Sequence, residues 1–194
     1  MSNQKRKVNT QTLVLGAIMT AIVIVLQYLG SVTTFFGPFS TAVALVPIVI
    51  GAALCGTGIG AWLGFVFGGV VLISGGANLF LAFDVAGTII TVLLKGTLCG
   101  LVAGLIYKAL KKVNEWLAVI LAALACPITN TAVFLLGCAV FFLPHVSEIA
   151  AAIGMEGSGM AIFYAMAMGN FILEILTSVV LAPVIVRVIK YAKK

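Results

Sequence analysis

The run Asp84-VAGTIITVLL-Lys95-GTLC-Gly100-LVA-Gly104-LIY-Lys108 decides how this chain is read. It is apolar and long enough to cross a bilayer, yet it carries a lysine near its middle. At a rise of about 1.5 Å per residue, Lys95 lies roughly 16 Å from Asp84, close to the midplane of a hydrocarbon core about 30 Å thick. A charge at that depth costs about 2.5–3.5 kcal/mol on insertion scales, so such residues usually face a protein interior or a wet cavity. Either the protein needs a cation there or another buried group neutralises it.

The rest of the composition agrees with a membrane setting. The 194 residues are 63% hydrophobic and 8% charged, with a mean hydropathy of +1.28. A soluble domain would be about 25% charged, so the expected fold class is an all-α integral membrane protein. The length allows about six or seven spans of roughly 20 residues with short loops, and leaves no room for an ATPase or a catalytic lobe. The net charge of +6 comes mainly from three clusters that flank apolar runs. That is the placement of topology signals rather than of a nucleic-acid surface. The basic Met1–Lys7 stretch precedes an apolar run without an A-x-A-like site, so the first helix is expected to be retained. Cys55, Cys99, Cys126 and Cys138 show neither C-x-x-C nor metal-ligand spacing. They read as small packing residues, and no metal or cofactor is expected.

Working outward from the central run, six spans are expected over residues 10–29, 41–55, 57–73, 84–109, 116–142 and 159–188, in one transmembrane domain. In the first, Gly16, Ala17, Thr20 and Ala21 make a small-residue face that lets another helix approach. The loop GSVTTFFGPFS, residues 30–40, breaks at Gly37-Pro38. The second span is short and has Pro47 near its middle, and Gly56-Thr-Gly58 makes a tight turn. Gly56, Gly60, Gly64 and Gly68 then recur every four residues, and Gly96, Gly100 and Gly104 repeat the pattern in the central run. A kink is expected at Pro127.

Charge sets the orientation. With six spans, both termini and the loops after spans two and four share a side. That side holds ten of the eleven basic residues: Lys5, Arg6, Lys7, Lys108, Lys111, Lys112, Arg187, Lys190, Lys193 and Lys194. The opposite loops or their edges carry Asp84, Glu148 and Glu156. The positive-inside rule makes the termini cytoplasmic.

Depths can then be compared. Lys95, Asn130, Asn170 and Glu174 come from three spans and reach similar depths, with Glu174 one turn below Asn170 on the same face. Unpaired in lipid each would be costly. Two readings stand side by side: a Lys95–Glu174 ion pair with asparagines stapling helices, and a cavity for a polar solute open to the outside. Asn78 and Asp84 at the outer mouth are either further contacts or ordinary loop and cap residues. His145 reads as a solvated loop residue. Gln27 and Tyr28, like Trp62 and Trp116, read as interfacial anchors. No H-E-x-x-H, G-x-S-x-G or P-loop occurs, so no catalytic residues are expected and the protein is not read as an enzyme.

The six-span plan, Gly16-Ala17-x-x-Thr20-Ala21, the Pro47-containing second span and the run FFGPFSTAVALVPIVIGAALCGTGIGAWLGF, Phe35–Phe65, together resemble an S component. S components are the substrate-binding subunits of energy-coupling-factor (ECF) vitamin transporters. The resemblance covers essentially the whole chain. It implies a vitamin-binding protein of the bacterial plasma membrane that does not hydrolyse ATP. Such a protein docks through its first helix on a transmembrane T component carrying two cytoplasmic ATPases. The docking face would map to Ala17 and Ala21, with Gly16 and Thr20 beside them. The substrate site would comprise the loop around Phe36 with Lys95, Asn130, Asn170 and Glu174. The lysine favours a ligand with a carboxylate or phosphate and the amides favour hydroxyl or amide groups, which makes pantothenate the leading candidate. The alternative is a stand-alone transporter or channel-like protein, which would be expected to show internal repeats. None is found between residues 1–95 and 96–194.

Overall fold

The computed structural model describes residues 10–32, 42–154 and 159–192. All of its regular structure is helical among these residues. The elements are α1 (Thr10–Val32), α2 (Leu45–Cys55), α3 (Thr57–Ile73), α4 (Asn78–Leu81), α5 (Val85–Leu110), α6 (Glu115–Gly137), α7 (Val146–Ala152) and α8 (Met160–Ala192). A 3₁₀ turn, Ala42–Ala44, leads into α2, and α6 runs on through a π turn, Cys138–Phe142, and a 3₁₀ turn, Leu143–His145. Four stretches are long and apolar enough to cross a bilayer alone: Thr10–Ser31, Val85–Leu110, Glu115–Ala152 and Met160–Tyr191. The apolar helices α2 and α3 are shorter, at 11 and 17 residues.

Local chemistry explains the boundaries. Asp84 is extended and its carboxylate accepts from Gly87 N at 2.9 Å, which caps α5. Asn114 does the same for α6, accepting from Trp116 N and Leu117 N at 2.9 and 3.2 Å. Pro47 is the third residue of α2. The helix begins later than the apolar run does, so the proline sits in the first turn, where its missing N–H has no helical partner to lose. Gly56 has φ 96° and turns the chain between α2 and α3. That conformation suits glycine and takes Gly56 out of the four-residue repeat. Pro127 and Pro183 both lie inside continuous helices.

The two glycine repeats pack on each other. A β-carbon on Gly64 would fall on the Gly96 carbonyl, and one on Gly100 would fall on the Gly60 carbonyl. Gly68 abuts Val92, and Gly104 abuts Thr57. Rising numbers on α3 meet falling numbers on α5, so the pair is antiparallel and in backbone contact along its length. A β-carbon on Gly60 would meet Ala52 of α2 as well as the Gly100 carbonyl, so α2 closes on the edge of the same seam.

Around this pair lies the main core, in which Ile48, Leu63, Cys99, Ala103, Ala122, Cys126 and Ile185 are fully buried or nearly so. A smaller cluster of Cys138, Phe142, Ile149 and Phe163 sits at the end of the bundle near α4 and α7. Phe80 joins it, edge-to-face with Phe134 at 5.5 Å and Phe142 at 4.9 Å between ring centres.

Candidate functional site: a polar cavity between the helices

A cavity of about 480 Å³ opens between the two clusters. Its walls come from the C-terminal ends of α1 and α3, the turn after α3, α4, the N-terminal half of α5, the C-terminal half of α6 and the N-terminal half of α8. Main-core residues Phe67 and Val71 line one side, and Phe80, Phe134 and Met166 of the smaller cluster line another. The basic residues Lys108, Lys111, Lys112, Arg187 and Lys190 lie toward the opposite ends of α5, α6 and α8.

Lys95, Asn130, Asn170 and Glu174 all line this cavity. Glu174 is 2% exposed. Its carboxylate accepts from Asn170 Nδ2 at 2.6 Å and from Asn130 Nδ2 at 3.1 and 3.3 Å. Asn170 and Glu174 are one turn apart on α8, while Asn130 crosses from α6, so the carboxylate is held from two helices. Asn130 uses its N–H groups on the carboxylate, and its own Oδ1 is buried without a partner among the described residues.

Lys95 takes a different partner from the one a simple ion pair would supply. Its Nζ stands 5.3 Å from the centre of the Phe134 ring, a cation–π contact. Among the described residues no carboxylate lies within 4 Å of it, the ion pair in that set being His145–Glu148 at 3.6 Å. A cation and a carboxylate thus open on one cavity without being joined to each other.

The remaining residues divide. Asn78 lines the cavity. Asp84 does not line it, and its side chain is the α5 cap already described. Phe36 lies outside the described residues. His145 pairs with Glu148 and tilts against Phe83. Reading Gln27 as an interfacial anchor needs correction: it is 2% exposed and forms part of the cavity wall. The signal for it is the helical stripe Gly16, Thr20, Val23, Gln27, which faces inward. Phe134, one turn beyond Asn130 on α6, is a further wall residue that the sequence does not single out, because a phenylalanine in an apolar span carries no mark distinguishing wall from core.

A model of the family described as "ECF transporter, substrate-specific component" matches residues 11–186, nearly the whole chain. The chain belongs to this family. Curated proteins and solved structures give no match. This S component is therefore the substrate-binding part of a transporter and a multi-pass membrane protein.

The small residues of α1 in this S component do not all face one way. Ala17 and Ala21 are exposed, on a stripe continued by Ile24 and Tyr28. Gly16 is buried against Ile59. The Thr20 hydroxyl donates to the Gly16 carbonyl at 2.8 Å and accepts from Trp62 Nε1 at 3.3 Å.

Proposed function

We propose that this S component captures a small anionic micronutrient, with pantothenate as the leading candidate, in the 480 Å³ cavity. Its acid group pairs with Lys95, and its hydroxyl and amide groups meet Glu174, Asn170 and Asn130, with Asn78 at the entrance. The single observation that carries this reading is that Lys95 and Glu174 share the cavity without an ion pair between them. A ligand bearing both an acid and hydrogen-bond donors satisfies both groups at once. The cavity size falls within the range of about 300–1,000 Å³ usual for small-molecule sites. Phe36 stays a candidate contact in this proposal on the family resemblance alone, and Asp84, whose side chain caps α5, is not a first contact.

In the same proposal six helices cross the plasma membrane of a bacterial cell, and both termini are cytoplasmic. The basic residues gather at the end of the bundle away from the cavity, which supports a cavity that opens outward. The hairpin of α2 and α3 is the thinnest part, since 11 residues of α2 span only about 17 Å. Delivery inward needs a T component with two ATPases, which this chain meets through Ala17 and Ala21.

The test is mass spectrometry of whatever co-purifies, followed by thermal-shift titration with a vitamin panel and with pantothenol, in which an alcohol replaces the acid of pantothenate. Pantothenate is expected to stabilise the protein far more than pantothenol does. Equal shifts would remove Lys95 from acid recognition. A bound neutral or cationic vitamin would overturn the anion assignment, and no shift with any compound would overturn binding in this cavity.

A further inference from the structure

A narrow groove of about 140 Å³ runs between α6 and α8 on the surface of the bundle. Trp116, Ile120 and Leu124, each one turn apart on α6, form one wall, and Val179, Ala182 and Pro183 of α8 form the other. Trp116, Ile120, Val179 and Pro183 are exposed, so the groove is an apolar furrow open to the lipid. Ser178 is the polar side chain in its wall and is almost fully buried. The groove shares no wall residue with the polar cavity.

Cations stand at one end of it. Val179, Pro183 and Arg187 follow one another at four-residue spacing on α8, and Lys190 comes one turn further on the same side. Lys190 lies about 10 Å past Pro183 along the helix. Its Nζ stands 5.4 Å from the centre of the Trp116 ring, so the lysine of α8 reaches across to the α6 wall and spans the basic end of the furrow. Lys108, Lys111 and Lys112 gather at the same end, and all five cations are exposed. Among the described residues the carboxylate there is that of Glu115, which accepts from the Tyr107 hydroxyl at 3.1 Å. An apolar slot, an aromatic ring at its rim and surplus positive charge beyond it follow the order of acyl chain, glycerol backbone and phosphate in an anionic phospholipid.

We propose that this groove binds an anionic phospholipid from the leaflet at the basic end of the bundle. One acyl chain lies between α6 and α8, and the headgroup phosphate meets Lys190 and Arg187. The proposal goes beyond the solute reading of the polar cavity and does not depend on it.

The test uses full-length protein carrying Trp62→Phe, which leaves Trp116 as the single tryptophan, in nanodiscs of phosphatidylcholine. Into these goes phosphatidylglycerol or phosphatidylcholine brominated near the headgroup end of its acyl chains, because bromine quenches an indole that it touches. Brominated phosphatidylglycerol is expected to quench Trp116 at a lower mole fraction than brominated phosphatidylcholine, by about fivefold for each cation engaged. Unlabelled phosphatidylglycerol is expected to restore the emission. Arg187→Gln with Lys190→Gln should abolish the preference, while Lys111→Gln with Lys112→Gln, in the turn ahead of α6, should leave most of it. Equal quenching by the two lipids overturns the proposal without need of the charge variants. Equal loss of preference from the two pairs overturns it as well, since the preference then reflects the general charge of this end rather than the groove.

Discussion

At the residue scale, the cavity sets one buried lysine against one buried carboxylate and supports them differently. Glu174 is held by two asparagines, while Lys95 has an aromatic face and open space. If an anionic ligand fills that space, Lys95→Met should weaken its binding by about 2–5 kcal/mol, read by calorimetry, while the binding of a neutral analogue changes little. Equal losses for both ligands would make Lys95 a structural residue. The convergence of Lys95, Asn130, Asn170 and Glu174 is legible in the chain, because polar groups placed deep in apolar runs have nowhere to go but toward one another. What cannot be read there is the pairing. Depth along a helix follows from counting residues, but whether Lys95 reaches Glu174 depends on helix rotation and spacing, and those depend on the glycine contacts. Gln27 is hard to read for a related reason, since a glutamine near a span end resembles an interfacial residue until the helix face is known.

At the scale of elements, the antiparallel α3–α5 pair sets the frame. Gly64→Leu should lower stability by about 1–3 kcal/mol or more, because the new side chain meets the Gly96 backbone, which cannot turn aside as a flexible side chain would. Gly69→Ala, on the same helix but with open space at its β-carbon, is the matched control and should be neutral or slightly stabilising. Similar losses in thermal midpoint from the two changes would refute the seam. Both glycine repeats are visible as four-residue patterns, yet a pattern on one helix announces a small face without naming the surface that meets it. The short helices α4 and α7 lie between the expected spans, because four and seven residues are too few to establish a helical period. The apolar run places Pro47 near the middle of a span, whereas the helix begins only two residues before it.

At the scale of the whole molecule, two ends and two faces have separate chemistry. If the cavity end is external, a cysteine replacing Glu148 should react with a membrane-impermeant thiol reagent in intact cells. One replacing Lys112 should react only after permeabilisation, and the reverse order would invert the proposed topology. If the exposed stripe of α1 is the docking face, Ala17→Trp should abolish uptake while leaving solute affinity within about twofold, since the side chain points away from the cavity and surface changes of this kind are usually within ±0.5 kcal/mol. Loss of both would place Ala17 in the fold rather than at a partner surface.

The glycine seam also bears on how the protein is made. Lys95 emerges from the ribosome before α6 and α8 do, so none of its companions from those helices is available when α5 meets the lipid. What is already present is α3, whose Phe67 and Val71 line the same cavity as Lys95 and whose glycines receive the backbone of α5. Joining two glycine faces orders few side chains, so the pair can close early and shelter the lysine during synthesis. A chain truncated after residue 115 and extended by a polar linker long enough to clear the ribosome should therefore insert α5 well with α3 intact and poorly with Gly64→Leu, by glycosylation mapping. Insertion unaffected by that change would mean that α5 enters the membrane unaided.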